Sequence, residues 1–336
     1  MRRRDLLTFT AMPAIVRAQA EHPLLRLIRR PAVPLAPATK DLSVDGTIAQ
    51  QHFTFASEAN QRVPGLLLKP QSVRAPLPVV IAMHGTGGNK EGQLPLLRRL
   101  ASSGFAAVAI DGRYHGERTT ARKGSAEYVD AILRAYRGSG EHPFLYDTVW
   151  DVMRLIDYLA TRSDIDSSHT GAIGFSKGGM ELYLAAAIDP RIRVAVPCIG
   201  VQSFRWALDN DAWQSRAGTF RAALDAAAKD EGSAVDAAFL RRFYDRVAPG
   251  IHSDFDAPRM LPRIASRPLL VINGDSDART PLPGLMQCID AAKSAYTAAR
   301  AEDHFRFLLQ PRTGHRVNPD AMDAAVEWFL KWNRSS

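Results

Sequence analysis

The sequence predicts an α/β fold built on a mostly parallel, doubly wound sheet. Three observations carry that prediction. Six short apolar runs recur along the chain, at Pro78–Met83, Phe105–Ile110, Thr170–Phe175, Val194–Ile199, Leu269–Ile272 and Phe305–Leu309. Each is near-continuous in apolar residues rather than alternating, the pattern of a strand covered on both faces. The stretches between them leave room for crossover helices, and Thr148–Ala160 sets Val149, Met153, Ile156 and Leu159 on one helical face.

In chain order, residues 1–20 (MRRRDLLTFTAMPAIVRAQA) join a basic start, a weakly apolar centre and a closing Ala18-Gln19-Ala20. This is the three-part layout of an export signal with a small-residue cleavage site. Its Arg3-Arg4-Asp5-Leu6-Leu7 core resembles a twin-arginine signal, with Arg2 where Ser or Thr is usual. The expectation is a periplasmic or secreted mature protein; the competing reading is a disordered basic arm. Residues 21–43, basic and dotted with prolines, predict an extended lead-in. Residues 44–336 then read as one α/β domain. Within it, QHFTFASEANQRVPGLLLKP predicts two strands joined by a polar turn, an antiparallel edge to the sheet.

Two connections exceed simple crossovers, Arg113–Asp147 and Gln202–Arg267. Long connections in compact domains are functional or carry their own structure. In the second, Thr219–Lys229 and Val235–Val247 have helical character. It is expected to form a helical cap insertion, about 202–267, over the carboxyl edge of the sheet, where open α/β sheets bind ligands.

The bulk properties narrow the function classes. With 46% hydrophobic and 23% charged residues among 336, the chain can bury a sizeable core. No apolar run approaches the roughly 20 residues of a membrane span. The formal charge is +8, but residues 1–20 hold four arginines against one aspartate, and the later arginines are scattered. A nucleic-acid partner is therefore not expected. Cys198 and Cys288 make neither a disulfide framework nor a metal-ligand spacing.

The chemistry is concentrated after the strands. Gly174-Phe175-Ser176-Lys177-Gly178 follows one run and opens a helical stretch. A nucleophilic serine needs this context: a sharp strand-to-helix turn, small flanking residues, and a helix whose free N–H groups face developing negative charge. A serine hydroxyl also needs a base to take its proton and a carboxylate to orient that base. His315, in Thr313-Gly314-His315 after the last strand, has the right place for the base. His304 precedes that strand and belongs at the opposite edge. Asp275 and Asp277 both lie in the turn after Leu269–Ile272. The chain must turn away from the sheet before a carboxylate can reach across, which favours Asp277; Asp275 then reads as a turn former. His84-Gly85-Thr86-Gly87-Gly88 follows Pro78–Met83 and lets backbone N–H groups face a substrate oxygen. The expected oxyanion donors are the amides of Thr86 and Lys177. The loop lacks the Lys-Ser/Thr ending of a phosphate-binding P-loop.

With these residues in place, the chain resembles the α/β-hydrolase superfamily, in the branch of dienelactone hydrolase-like, acetyl xylan esterase-like and prolyl oligopeptidase-like enzymes. The likeness rests on HGTGG, DGRYHGERT, GFSKGGM, NGDSDARTP and TGH, and covers roughly Val44 to Trp332. In that branch the acid follows the strand-end glycine by three positions, with a proline four further on. Gly274, Asp277 and Pro281 match this spacing. Lys177 stands where relatives often carry Leu, Met or Gln, and its side chain is expected to point to solvent. His115 reads as a support for the loop after its strand, and Glu181 as a structural partner for a basic residue. Trp206 and Trp213 either wall an acyl pocket or bury against the sheet.

The resemblance implies a serine carboxylic-ester hydrolase acting on small or medium esters, with carbohydrate acetyl esters as a narrower class and no cofactor or metal required. A peptidase of prolyl oligopeptidase-like type is the alternative within hydrolases. That type carries a large N-terminal propeller, and few residues precede the first predicted strand. A non-catalytic binding member of the fold is the alternative outside them; it would lack a member of the Ser-Asp-His set, and none is missing.

Overall fold

The computed structural model describes residues 21–334 apart from 43–45, 74 and 121–124; the predicted export signal at 1–20 lies outside the described residues. One sheet runs in the order β1-β2-β3-β5-β4-β6-β7-β8-β9. Its strands are β1 Ala38–Asp41, β2 Ile48–Glu58, β3 Gln61–Pro70, β4 Leu77–Met83, β5 Ala106–Ile110, β6 Ile165–Phe175, β7 Ile192–Cys198, β8 Leu269–Gly274 and β9 Phe305–Gln310. Strands β4 to β9 are mutually parallel, and β1 to β3 form an antiparallel edge joined to them through β5. The six runs of continuous apolar sequence are thus the six parallel strands.

Burial on both faces explains their composition. In β4, Val79 and Ile81 join the cluster of Leu155 and Tyr183, from helices Tyr146–Ala160 and Lys177–Ile188. Val80 and Ala82 face the other way, with Leu97 and Phe329 from helices Leu94–Ser102 and Pro319–Trp332. Each strand residue meets a helix layer, so a polar side chain on either face would be stranded without water.

The lead-in differs from the expectation of an extended segment. Pro23–Ile28 is a short helix whose N-terminus is capped by His22, its Nδ1 accepting from the Leu24 amide at 3.1 Å. Leu24 and Ile28 are fully buried. Pro23 sits at the first turn, where its missing N–H costs nothing. The sheet also begins before residue 44, because β1 pairs with β2.

Between β7 and β8 the chain forms the helices Phe204–Asp209, Gln214–Ala217, Arg221–Glu231, Ala237–Val247 and Ala257–Met260. The other long connection contributes the helix Ala126–Tyr136, and the two pack through aromatic rings. Tyr136 stacks on Phe243 at 5.0 Å, and Phe144 meets the edge of Phe220 at the same distance. Phe144 of the earlier connection and Phe204 and Arg216 of the later one meet Ser176 and Ile199, the residues just past β6 and β7, around one pocket. Among the described residues no helix is long and apolar enough to cross a membrane.

Candidate functional site

Ser176 sits in the turn between β6 and the helix Lys177–Ile188, with φ 54° and ψ −113°. That backbone is costly for a residue with a Cβ, on the order of 1–3 kcal/mol, and persists because its surroundings over-determine it. The surroundings are backbone. A Cβ at Gly174 would lie 2.2 Å from the Gly178 carbonyl oxygen, and one at Gly178 would lie 2.4 Å from that of Met83. The flanking glycines of GFSKG are therefore there to let the turn close against itself and against β4.

Three side chains from different strand ends meet at this turn. Ser176 Oγ is 2.8 Å from His315 Nε2, and His315 Nδ1 is 2.7 Å from Asp277 Oδ2. A carboxylate can only accept, so Nδ1 carries the imidazole proton and Nε2 is left to accept from the serine hydroxyl. Gly274 makes the meeting possible: a Cβ there would lie 2.1 Å from the Thr313 carbonyl oxygen, so the loops after β8 and β9 touch. Burial opposes ionisation of Asp277, but the hydrogen bond from His315 and the Arg279 amide at 2.9 Å outweigh it and hold the carboxyl below its ordinary value.

Asp275 does not reach His315. Its carboxylate accepts from the amides of Arg312 at 2.9 Å and Thr313 at 3.1 Å, and from the Ser276 hydroxyl at 2.7 Å. It pins the loop that carries His315. His304 lies at the other end of β9, its Nδ1 donating to the Ser266 carbonyl oxygen at 2.6 Å.

Thr86 lines the pocket onto which Ser176 and His315 open. A Cβ at Gly85 would come within 3.3 Å of Ser176 Cβ, so this loop lies directly against the turn. A buried network beneath it sets its position. His84 donates through Nδ1 to the Gly85 carbonyl oxygen at 2.8 Å and accepts through Nε2 from the Gly112 amide at 3.0 Å. Lys90 closes the loop by pairing with Asp111 at 2.9 Å, and Asp111 also accepts from the Glu117 amide at 3.0 Å. His115, as expected, supports its own loop, with Nδ1 donating to the Arg113 carbonyl oxygen at 2.7 Å.

Lys177 corrects the expectation of a solvent-facing side chain. It is 1% exposed, its ammonium pairs with Glu181 Oε1 at 2.5 Å, and it lies 5.5 Å from the centre of the Tyr128 ring. The helix Lys177–Ile188 is apolar on every side apart from this pair, so a solvent-facing lysine had no polar face to occupy. Glu181 one turn on was the available sign, since a buried ammonium needs a partner. Neither Trp206 nor Trp213 lines the pocket; Trp213 is buried, and Trp206 packs where a Cβ at Gly284 would sit, 2.6 Å away. Residues that sequence reasoning did not single out, Phe144, Met180, Phe204 and Arg216, complete the wall. They come from one loop and three separate helices, with no shared motif.

The buried histidines make stability depend on pH. Burial, then the nearby Lys177 charge, pushes His84 down to about 3 and His115 down to about 2, from an ordinary 6.5. The unfolded chain takes up both protons near 6.5 while the native protein refuses them. Stability is thus fully present above 6.5 and is lost as pH falls. Each histidine should cost up to about 1.4 kcal/mol per pH unit over that window. Urea denaturation at pH 7 and pH 5 is expected to show a lower midpoint at pH 5; equal midpoints would contradict the assignment.

Among the described residues no group of three or more His, Cys, Asp or Glu side chains is arranged to hold a metal ion. What the site offers is a hydroxyl hydrogen-bonded to an imidazole, itself fixed by a carboxylate, at the floor of a small pocket.

Comparison with known proteins places the chain among esterases of this fold. The family model for acetyl xylan esterase (AXE1) matches residues 35–209, just over half of the chain. YtaP of Bacillus subtilis (strain 168) is 26% identical over 289 residues, covering 81% of this chain and 84% of that protein. The structure of an acetyl xylan esterase from Paenibacillus sp. R4 superimposes with a TM-score of 0.65 at 21% identity, covering 89% of this chain and 90% of the other. Acetyl xylan esterase 1 from Thermoanaerobacterium sp. JW/SL YS485 gives a TM-score of 0.66 at 19% identity, covering 92% of each chain. Likeness at that identity establishes the shared fold.

Proposed function

Since this chain belongs to the acetyl xylan esterase (AXE1) family of α/β-hydrolases, we propose that it is a serine carboxylic-ester hydrolase working through Ser176, His315 and Asp277. Ser176 Oγ attacks the ester carbonyl carbon as its proton passes to His315 Nε2, and Asp277 faces the imidazolium that results. The amides of Thr86 and Lys177 donate to the oxyanion; one such donor is worth about 2.7–4 kcal/mol. Collapse of the tetrahedral intermediate breaks the bond to the alcohol oxygen, which takes the proton from His315. Water, deprotonated by the same imidazole, then attacks the acyl-enzyme and releases the acid. The observation that carries this reading is the pair of contacts at 2.8 Å and 2.7 Å that joins the three side chains in one line.

The substrate class follows from the walls. The pocket beside Ser176 is walled by Phe144, Met180 and Phe204, a small apolar enclosure that suits a short acyl group. Next to the Thr86 loop lies a cleft of about 470 Å³ lined by Gly87, Asn89, Glu91 and Glu117 among others, a polar surface that suits a hydroxyl-rich alcohol. An acetylated carbohydrate combines the two features. A panel of p-nitrophenyl esters of increasing acyl length, acetylated xylo-oligosaccharides and prolyl amides tests this. The expected order is short acyl esters and acetylated sugars far above long-chain esters, with no amide cleavage. Preferential cleavage of prolyl amides would replace the esterase reading with a peptidase one.

We further propose that the enzyme acts after export, directed by residues 1–20. Mass spectrometry of the exported chain should find Glu21 at its N-terminus; an intact Met1 in the exported fraction would contradict cleavage after Ala20.

A further inference from the structure

Arg216 and Arg279 both line the pocket that holds Ser176, and no acidic side chain lines it. Arg279 is exposed at the rim. Arg216 is 8% exposed, yet among the described residues no carboxylate lies within ion-pair distance of it, and its Nε is buried without a hydrogen-bond partner. What its guanidinium touches is soft. Nη1 is 3.7 Å from Met180 Sδ, and Cζ lies 5.5 Å from the centre of the Phe204 ring. The residue is held in place through its backbone, whose carbonyl oxygen accepts from the Tyr244 hydroxyl at 3.1 Å.

Elsewhere this chain pairs its buried guanidiniums with care. Arg113 is held by Asp151 and Glu58, and Arg118 by Asp151. An uncompensated buried cation is heavily penalised, and folds retain one mainly where a function completes it. Neutralisation is no escape, because a guanidinium stays protonated at working pH even when burial lowers its pKa. The charge of Asp277 reaches Arg216 without an ion-pair contact, so a direct acceptor is still missing, and Arg216 opens onto the pocket it shares with Ser176 and His315.

We propose that Arg216 is a specificity-determining residue that receives a carboxylate carried by the ester substrate. The planar fork of a guanidinium matches a carboxylate in two parallel hydrogen bonds, and the pocket's low polarity strengthens them. The inference rests on the esterase reading above and adds a charge to the substrate class. The carboxylate belongs either to the acid half of the ester or to the alcohol half.

Two isosteric substrate pairs separate these cases. Monomethyl succinate and its neutral amide place the difference on the acid half; acetoxyacetate and its neutral amide place it on the alcohol half. In the wild type, kcat/KM is expected to favour the charged member of one pair by on the order of 10- to 100-fold, as for hydrogen bonds to a charged group. Arg216→Met should bring that ratio to about one, and Arg216→Lys should leave it intermediate, since the charge remains but the fork is lost. The ratio compares two substrates on the same folded sites, so partial misfolding does not move it. Absence of a charge preference in the wild type, or its survival in Arg216→Met, would overturn the proposal. Labelling by a neutral fluorophosphonate, run in parallel, keeps the two readings apart: if Ser176 is not labelled, the esterase reading fails, whereas normal labelling without charge preference removes only the role of Arg216.

Discussion

Replacing Ser176 with alanine is expected to lower kcat for ester hydrolysis by about a million-fold, leaving a residue of roughly 10³-fold over water from oxyanion binding and positioning. The size follows from how completely the fold is organised around this hydroxyl. Its backbone is held at φ 54° between glycines that admit no Cβ, and its Oγ has His315 Nε2 at 2.8 Å. No other hydroxyl among the described residues lies within hydrogen-bond distance of that nitrogen. The measurement is steady-state turnover of an acetyl ester by protein whose circular dichroism matches the wild type. Retention of more than about one hundredth of the wild-type rate would place the nucleophile elsewhere, because a positioned water alone does not recover that much.

The second large effect separates two aspartates that the sequence sets two residues apart. Asp277→Asn is expected to lower kcat by about 10⁴-fold. An amide nitrogen opposite Nδ1 favours the wrong tautomer, so that Nε2 carries the proton and can no longer accept one from Ser176. Asp275→Asn should act on a different property. That carboxylate accepts from the Arg312 and Thr313 amides and never touches the imidazole. Its loss should lower the urea midpoint while costing less than about tenfold in kcat, the difference between a loosened loop and a broken relay. Measured side by side, kcat and midpoint should move in opposite proportions for the two variants. The reverse ranking would exchange their roles.

Much of this arrangement could be read before any coordinates. Strands buried on both faces advertise themselves as apolar runs, and each chemical residue follows such a run, so chain order alone put Ser176, Asp277 and His315 at one edge. Where the reading fell short, local pattern and tertiary context disagreed. Pro23–Ile28 is barely a turn and a half of helix, held by burial of Leu24 and Ile28 rather than by periodicity. Strand β6 starts at Ile165, five residues before its apolar run, because Asp166–His169 are polar and partly exposed at the strand's entry. Lys177 looked solvent-directed because a charge usually is; only its salt bridge with Glu181, inside an otherwise apolar helix, reveals the inward turn. Arg216 gave no signal at all. Its meaning comes from the absence, among the described residues, of a carboxylate in ion-pair contact, which is a property of the folded neighbourhood and not of any stretch of sequence.

The proposed function and the inference about Arg216 share one dependency, that Ser176 is an activated nucleophile. Reaction of the purified protein with a fluorophosphonate, followed by peptide mapping, tests it most directly. A single adduct on the peptide containing Ser176, absent from Ser176→Ala and strongly slowed in His315→Ala, is the predicted result. An adduct on another residue, or equal labelling of wild type and Ser176→Ala, would contradict it.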